Sequence, residues 1–208
     1  LRVHAQALKD LGRTDAISGG AVLERVEQAA MNVRDRLLRA TAALRNADIA
    51  YAVVGGNAVA SWVGQRDPGA IRHTRDVDLL VNRADLPAIK EAMARAGFVH
   101  SNGPGFDVFR DGPTGVPSEG VHLLFANERI FGDDLTLQPD TAESVDMKEF
   151  RVVSLEALVR MKLTVNRDKD RTHVRDLIGV GWIDASWLPT LSPTLALRLK
   201  SMLDTPNG

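Results

Sequence analysis

The stretch from Tyr51 to Val81 constrains this chain most. An apolar run ending at Val54 meets the pair Gly55-Gly56, and about twenty residues later Asp76 and Asp78 flank Val77 at the head of a second apolar run. The first run, Ile49 to Val54, and the second, Val77 to Val81, have the length and composition of strands, with a helix expected between them over Ala58 to Val63. Alternate side chains of a strand share a face, so Asp76 and Asp78 project to one side while Val77 and Leu79 pack on the other.

That residue choice has a chemical logic. Mg²⁺ takes hard oxygen ligands and is commonly held by one or two carboxylates together with substrate phosphates. Asp76 and Asp78 supply such a pair. A glycine pair lets the backbone approach a phosphate closely, and a helix beginning near Asn57 would aim its free N–H groups and positive dipole end at the same anion. The plain alternative is a β-turn followed by a solvated strand end.

The rest of the chain is organised around this segment. Residues 1–20 carry little pattern and end in Ser18-Gly19-Gly20, which reads as a leader or linker. Residues 21–48 are expected to form a helix that packs on a core spanning 49–150, with Leu23, Val26, Ala30, Val33, Leu37 and Leu44 as its apolar stripe. Asp85 to Ala96 reads as a helix stopped by Gly97. Phe106 to Arg110 and Val121 to Ala126 read as a hairpin, Asn127 to Glu149 as an acidic surface connection, and Phe150 to Val153 as a short strand. Residues 151–208 are expected to be largely helical, with one helix capped by Ser154 and others over Asp170 to Ile178 and Pro193 to Leu203.

Gly55, Gly56, Asp76 and Asp78, in that order and spacing, resemble the signature of the DNA polymerase β-like nucleotidyltransferase superfamily. The resemblance implies an α+β fold: a small mixed β-sheet core flanked by helices, with a helical C-terminal region. It also implies a metal-dependent enzyme, using Mg²⁺ or Mn²⁺ held by Asp76 and Asp78, that moves a nucleoside monophosphate from an NTP to a hydroxyl and releases pyrophosphate. The superfamily often carries a hydroxyl residue after its glycines; here Asn57 stands there. Arg75, with His73, Arg66 and Arg72, is a candidate contact for phosphates or acceptor.

The superfamily usually supplies a third carboxylate from a later strand. By element order that position is His122. Three roles are open to it: general base, a ligand that shifts preference toward Mn²⁺, or the mark of a site that binds nucleotide without turning it over. A packed strand histidine is the structural alternative, and Asp107 and Glu119 are candidates for a displaced carboxylate.

A second array, Met161-Lys162-Leu163 followed by Arg167-Asp168-Lys169-Asp170, His173 and Asp176, resembles the helical region of AbiEii-like toxin nucleotidyltransferases. That resemblance implies that Lys162 and an acidic partner, Asp170 or Asp176, face the nucleotide. It also implies an RNA end or a small molecule as acceptor and an antitoxin-like protein partner. A catalytically degenerate nucleotide- or partner-binding module on the same fold is the rival reading.

Composition narrows the field. With 26 Lys and Arg against 27 Asp and Glu, net charge gives no case for a nucleic-acid coat or a membrane surface. The absence of cysteine removes thiolate nucleophiles, disulfides and Cys-type zinc sites. No apolar run reaches membrane-span length, so a cytoplasmic location is expected.

Overall fold

The computed structural model describes residues 18–103, 106–130, 132 and 134–205, so most of the expected leader lies outside the described residues. Seven strands form one mixed sheet: β1 (Tyr51–Val54), β2 (Val77–Val81), β3 (Phe98–Gly103), β4 (Phe106–Asp111), β5 (Val121–Phe125), β6 (Ser144–Asp146) and β7 (Arg151–Val153), in the order β3-β4-β5-β2-β1-β7-β6. β1 lies between β2, antiparallel, and β7, parallel. Its four residues are all buried, so it reads as a continuous apolar run with no polar alternation.

The helices are α1 (Gly19–Asn46), α2 (Gly55–Gly64), α3 (Leu86–Arg95), α4 (Leu155–Val165), α5 (Asp168–Gly179) and α6 (Pro193–Asp204). α2 packs on β1 and β2 and against α4 and α5, while α4, α5 and α6 pack on one another. This is the α+β architecture with a helical C-terminal region implied by the sequence. The Ser154 hydroxyl accepts from the Ala157 N–H at 3.2 Å and caps α4, and Gly97 takes φ +87° just past α3. No helix among the described residues is long and apolar enough to cross a membrane.

Several elements differ from expectation. α1 reaches the core only through its C-terminal half, where Leu37, Ala40 and Leu44 are buried; Leu23 and Val26, placed on the apolar stripe, are 66% and 52% exposed. Periodicity in α1 therefore runs past the body it packs on. β3 was not expected, because Phe-Val-His-Ser-Asn-Gly loses its apolar character after two residues; as an edge strand it needs cover on one side only. The expected connection over 127–149 contains β6, three residues that pair with β7. The helix after the glycines starts at Gly55 itself, three residues earlier than the apolar pattern suggested.

Candidate active site

β1, β2 and β5 bring the candidate residues together at one end of the sheet. Val54 pairs with Asp78 across β1 and β2, and Asp78 pairs with His122 across the parallel β2 and β5. Chain direction then does the rest: β1 ends at Val54, so Gly55 enters α2 beside Asp78. A Cβ built on Gly55 would fall 1.9 Å from Asp78 Oδ2, and one on Gly56 would fall 2.9 Å from Thr74 Cβ. With φ +64° at Gly55, only glycine satisfies both the backbone and the space. The glycine turn and the aspartates therefore share one pocket wall.

Asp76, Asp78 and His122 each offer a ligand atom, all within 4.8 Å of one another, and theirs is the one such group among the described residues. His122 Nδ1 is 3.6 Å from Asp78 Oδ1 and 4.0 Å from Asp76 Oδ2. His122 Nε2 is 2.9 Å from the Pro117 carbonyl oxygen. The Thr74 hydroxyl donates to Asp76 Oδ1, and Asn57 Nδ2 donates to the Asp76 carbonyl at 2.8 Å. Asn57 thus braces the strand mouth and does not cap α2, which has no side-chain cap.

Burial works against the charge on Asp76. The Thr74 hydroxyl, the Lys169 ammonium, its own backbone N–H and His122 outweigh that burial and hold its pKa below the usual carboxylate value. His122 is shifted upward, first by its interaction with Asp78, with burial opposing and the Pro117 carbonyl and both aspartate charges adding. The three side chains are 21–26% exposed, so charges here are weakly screened. Two partly buried carboxylates beside one imidazole nitrogen form a donor set that fits a divalent cation.

The cleft, of about 480 Å³, is lined on one side by Gly55, Gly56, Asp76, Asp78 and His122 and on the other by Lys162, Arg167, Lys169 and Asp170 from α4, α5 and their junction. Val108, Leu124, Met161 and Val165 give it an apolar wall. Lys162 Nζ donates to Asp170 Oδ1 at 3.0 Å, and the Arg167 side chain donates to Asp170 Oδ2 at 2.9 Å. Burial favours a neutral Asp170, but the charges and hydrogen bonds of Lys162 and Arg167 reverse that and keep its pKa low. His173, buried behind the pair, is pushed down to about 4 by burial and then by the charges of Lys162 and Lys169. It is neutral near pH 7.

Other sequence candidates lie elsewhere. Asp176 does not line the cleft; it accepts from Arg72 Nε at 2.8 Å, so it is not the partner of Lys162. Arg75 is exposed and absent from the cleft lining, and its carbonyl accepts from Arg36. Arg66 donates to the Gly181 carbonyl and lies 4.0 Å over the Trp182 ring. Asp107 binds His100 at 2.8 Å. Sequence reasoning gave no role to Lys169, Thr74 and the Pro117 carbonyl. Lys169 was visible in the array around residue 168, but its reach toward Asp76 depends on how α5 docks on the sheet.

A mixed sheet that sets an Asp-x-Asp strand against a glycine turn is the arrangement implied by the resemblance to the DNA polymerase β-like nucleotidyltransferase superfamily. The chain belongs to the family described as "Uncharacterised nucleotidyltransferase", whose model matches residues 21–160. Among solved structures it is similar to the antibiotic-resistance factor ANT(2'')-Ia, with TM-score 0.51 and 14% identity over 86% of this chain and 92% of that one. It is also similar to an antigenic nucleotidyltransferase-like protein from Paracoccidioides brasiliensis, with TM-score 0.49 and 18% identity over 83% of this chain and 90% of that one. No curated protein sequence matches it.

Proposed function

We propose that the protein transfers a nucleoside monophosphate from an NTP to a hydroxyl acceptor. The observation that carries this reading is the contact of Gly55 with Asp78 at the mouth of a cleft whose far wall is cationic. The backbone of Gly55 and Gly56, at the N-terminal end of α2, faces the phosphates. Asp76 and Asp78 would hold a divalent ion, Mg²⁺ or Mn²⁺, whose charge would stabilise the phosphate oxygens in the transition state. Val108, Leu124, Met161 and Val165 offer an apolar surface to the base.

The acceptor oxygen forms a bond to the α-phosphorus as its proton passes to solvent water. The bond from that phosphorus to the bridging oxygen of the β-phosphate breaks, and pyrophosphate leaves with the electron pair. Lys162 has three N–H donors and gives one to Asp170, which leaves donors for the leaving group. Lys169, whose charge already acts on Asp76, adds a second cation. Asp170 serves by fixing Lys162 and Arg167. Arg75 and Asp176 stand outside this cleft, and any part they play is in holding the rim or the acceptor.

The acceptor is either an RNA end, as the AbiEii-like resemblance of residues 155–178 suggests, or a small molecule; under the first reading an antitoxin-like protein is the expected partner. A cytoplasmic location follows from NTP use. The test is release of pyrophosphate from labelled NTPs with Mg²⁺ or Mn²⁺ by the wild type, compared with the Asp76→Ala, Asp78→Ala double variant. His122, in the place of the third carboxylate, favours a second reading, a nucleotide- or partner-binding module. Tight NTP binding without turnover in either metal would support that module.

A further inference from the structure

We infer that His122 Nδ1 is a direct metal ligand, so that Asp76, Asp78 and His122 form a three-ligand site for a single ion that prefers Mn²⁺ to Mg²⁺. This rests on the nucleotidyl-transfer reading and makes the metal selectivity of the site specific.

The tautomer is fixed from outside the cluster. The Pro117 carbonyl oxygen can only accept, so the hydrogen bond at 2.9 Å requires a proton on His122 Nε2. In the neutral ring Nδ1 then carries a lone pair, and it faces the oxygens of Asp78 and Asp76 at 3.6 and 4.0 Å. Three electron-rich atoms facing one another are unfavourable unless a cation, a proton on Nδ1 or a metal ion, lies between them. A backbone carbonyl holding the distal nitrogen of an imidazole is also the usual way a metal-binding histidine is oriented.

The distances agree with this. Two ligands of an ion with bonds near 2.1 Å lie about 3.0–3.4 Å apart in octahedral or tetrahedral geometry. The observed separations of 3.6 and 4.0 Å need only a small side-chain adjustment to reach that range. They are also longer than the 2.7–2.9 Å, approximately, of a charge-assisted N–H···O bond, so a simple imidazolium–carboxylate pair accounts for them less well. Because β2 and β5 are hydrogen-bonded neighbours with Asp78 and His122 in register, the sheet sets the spacing.

Two consequences separate this role from others. A general base would need its free nitrogen turned to the acceptor, whereas Nδ1 is turned to the aspartates. Imidazole nitrogen suits borderline transition ions, while Mg²⁺ prefers an all-oxygen shell and dehydrates reluctantly. The nitrogen ligand therefore discriminates between ions that a three-carboxylate site would accept alike.

The test measures binding on the whole chain without turnover. Mn²⁺ and Mg²⁺ affinities are determined by calorimetry for the wild type, His122→Ala and His122→Asp, and pulsed electron paramagnetic resonance on the Mn²⁺-loaded proteins looks for nitrogen modulation from a coordinated imidazole. Mn²⁺ is expected to bind about tenfold or more tightly than Mg²⁺ in the wild type. His122→Ala should lose most of that ratio together with the nitrogen signal, and His122→Asp should lose the signal while gaining Mg²⁺ affinity. Circular dichroism and melting curves of both variants keep a folding defect from passing as a binding one. Bound Mn²⁺ without nitrogen modulation, or an unchanged ratio in His122→Ala, would overturn this inference and leave nucleotidyl transfer intact. Absence of any divalent-ion binding, with or without NTP, would remove both.

Discussion

Gly55 sits so close to Asp78 that a single methyl group in place of its hydrogen would overlap the carboxylate, at 1.9 Å from Oδ2. Gly55→Ala must therefore either rotate Asp78 out of the site or move the start of α2, and it must also hold φ +64° with a Cβ. The backbone term alone costs about 1–2 kcal/mol. Urea unfolding should show a loss of at least that size, and NTP-dependent stabilisation in a thermal-shift assay should disappear. An Ala variant with wild-type stability and NTP response would show that the turn does not meet the aspartate in solution.

Removing a metal carboxylate should separate stability from activity. Asp76→Ala gives up a carboxylate whose charge Thr74, Lys169 and His122 stabilise in the folded state, so its melting temperature should fall slightly. Turnover should fall by about 100-fold or more, since metal-held charge supplies several kcal/mol to the transition state. Pyrophosphate release and calorimetric melting, read on the same preparations, check both halves.

The Lys162–Asp170 pair should show the asymmetry of a buried ion pair. With side chains 10% and 2% exposed, loss of Asp170 strands the Lys162 charge, whereas loss of Lys162 leaves Asp170 paired with Arg167. Asp170→Leu is expected to cost about 3–5 kcal/mol, whereas the Lys162→Met, Asp170→Leu double variant should recover a good part of it. Arg167, which also donates to Asp170, will temper the recovery. Chemical denaturation of the wild type, both single variants and the double variant gives the coupling directly.

His173 makes stability fall with acid. Its folded pKa of about 4 lies below the ordinary 6.5, so between those values the unfolded chain binds a proton that the native state refuses. Its contribution is complete above about pH 6.5 and is lost as pH drops toward 4. At pH 5 the loss is on the order of 2 kcal/mol. Unfolding free energies at pH 7.5 and pH 5 should differ by more in the wild type than in His173→Gln.

Lys169 should matter for nucleotide and little for the fold. It is exposed and faces Asp76 across the cleft, so Lys169→Ala is expected to weaken NTP binding by about tenfold, an effect that shrinks at high salt. Binding isotherms at two ionic strengths decide it.

The sequence determined the local pieces. Runs of buried residues marked β1 and β2, a serine and a glycine marked the ends of α4 and α3, and the Gly-Gly and Asp-x-Asp spacing marked the class, because each of these signals lies within one element or between adjacent ones. Weakly patterned edges were not legible in the same way: β3 and β6 exist because a neighbour offers free hydrogen-bonding groups. The site itself was half legible. Which residues carry charge is written in the chain, and element order set His122 with the aspartates, but its register opposite Asp78, the pairing of Lys162 with Asp170 and of Asp176 with Arg72, and the effect of the Lys169 charge on Asp76 were decided by sheet order and by the docking of α5. Strand register and helix docking couple residues far apart in sequence, and no local pattern encodes the pairing that results.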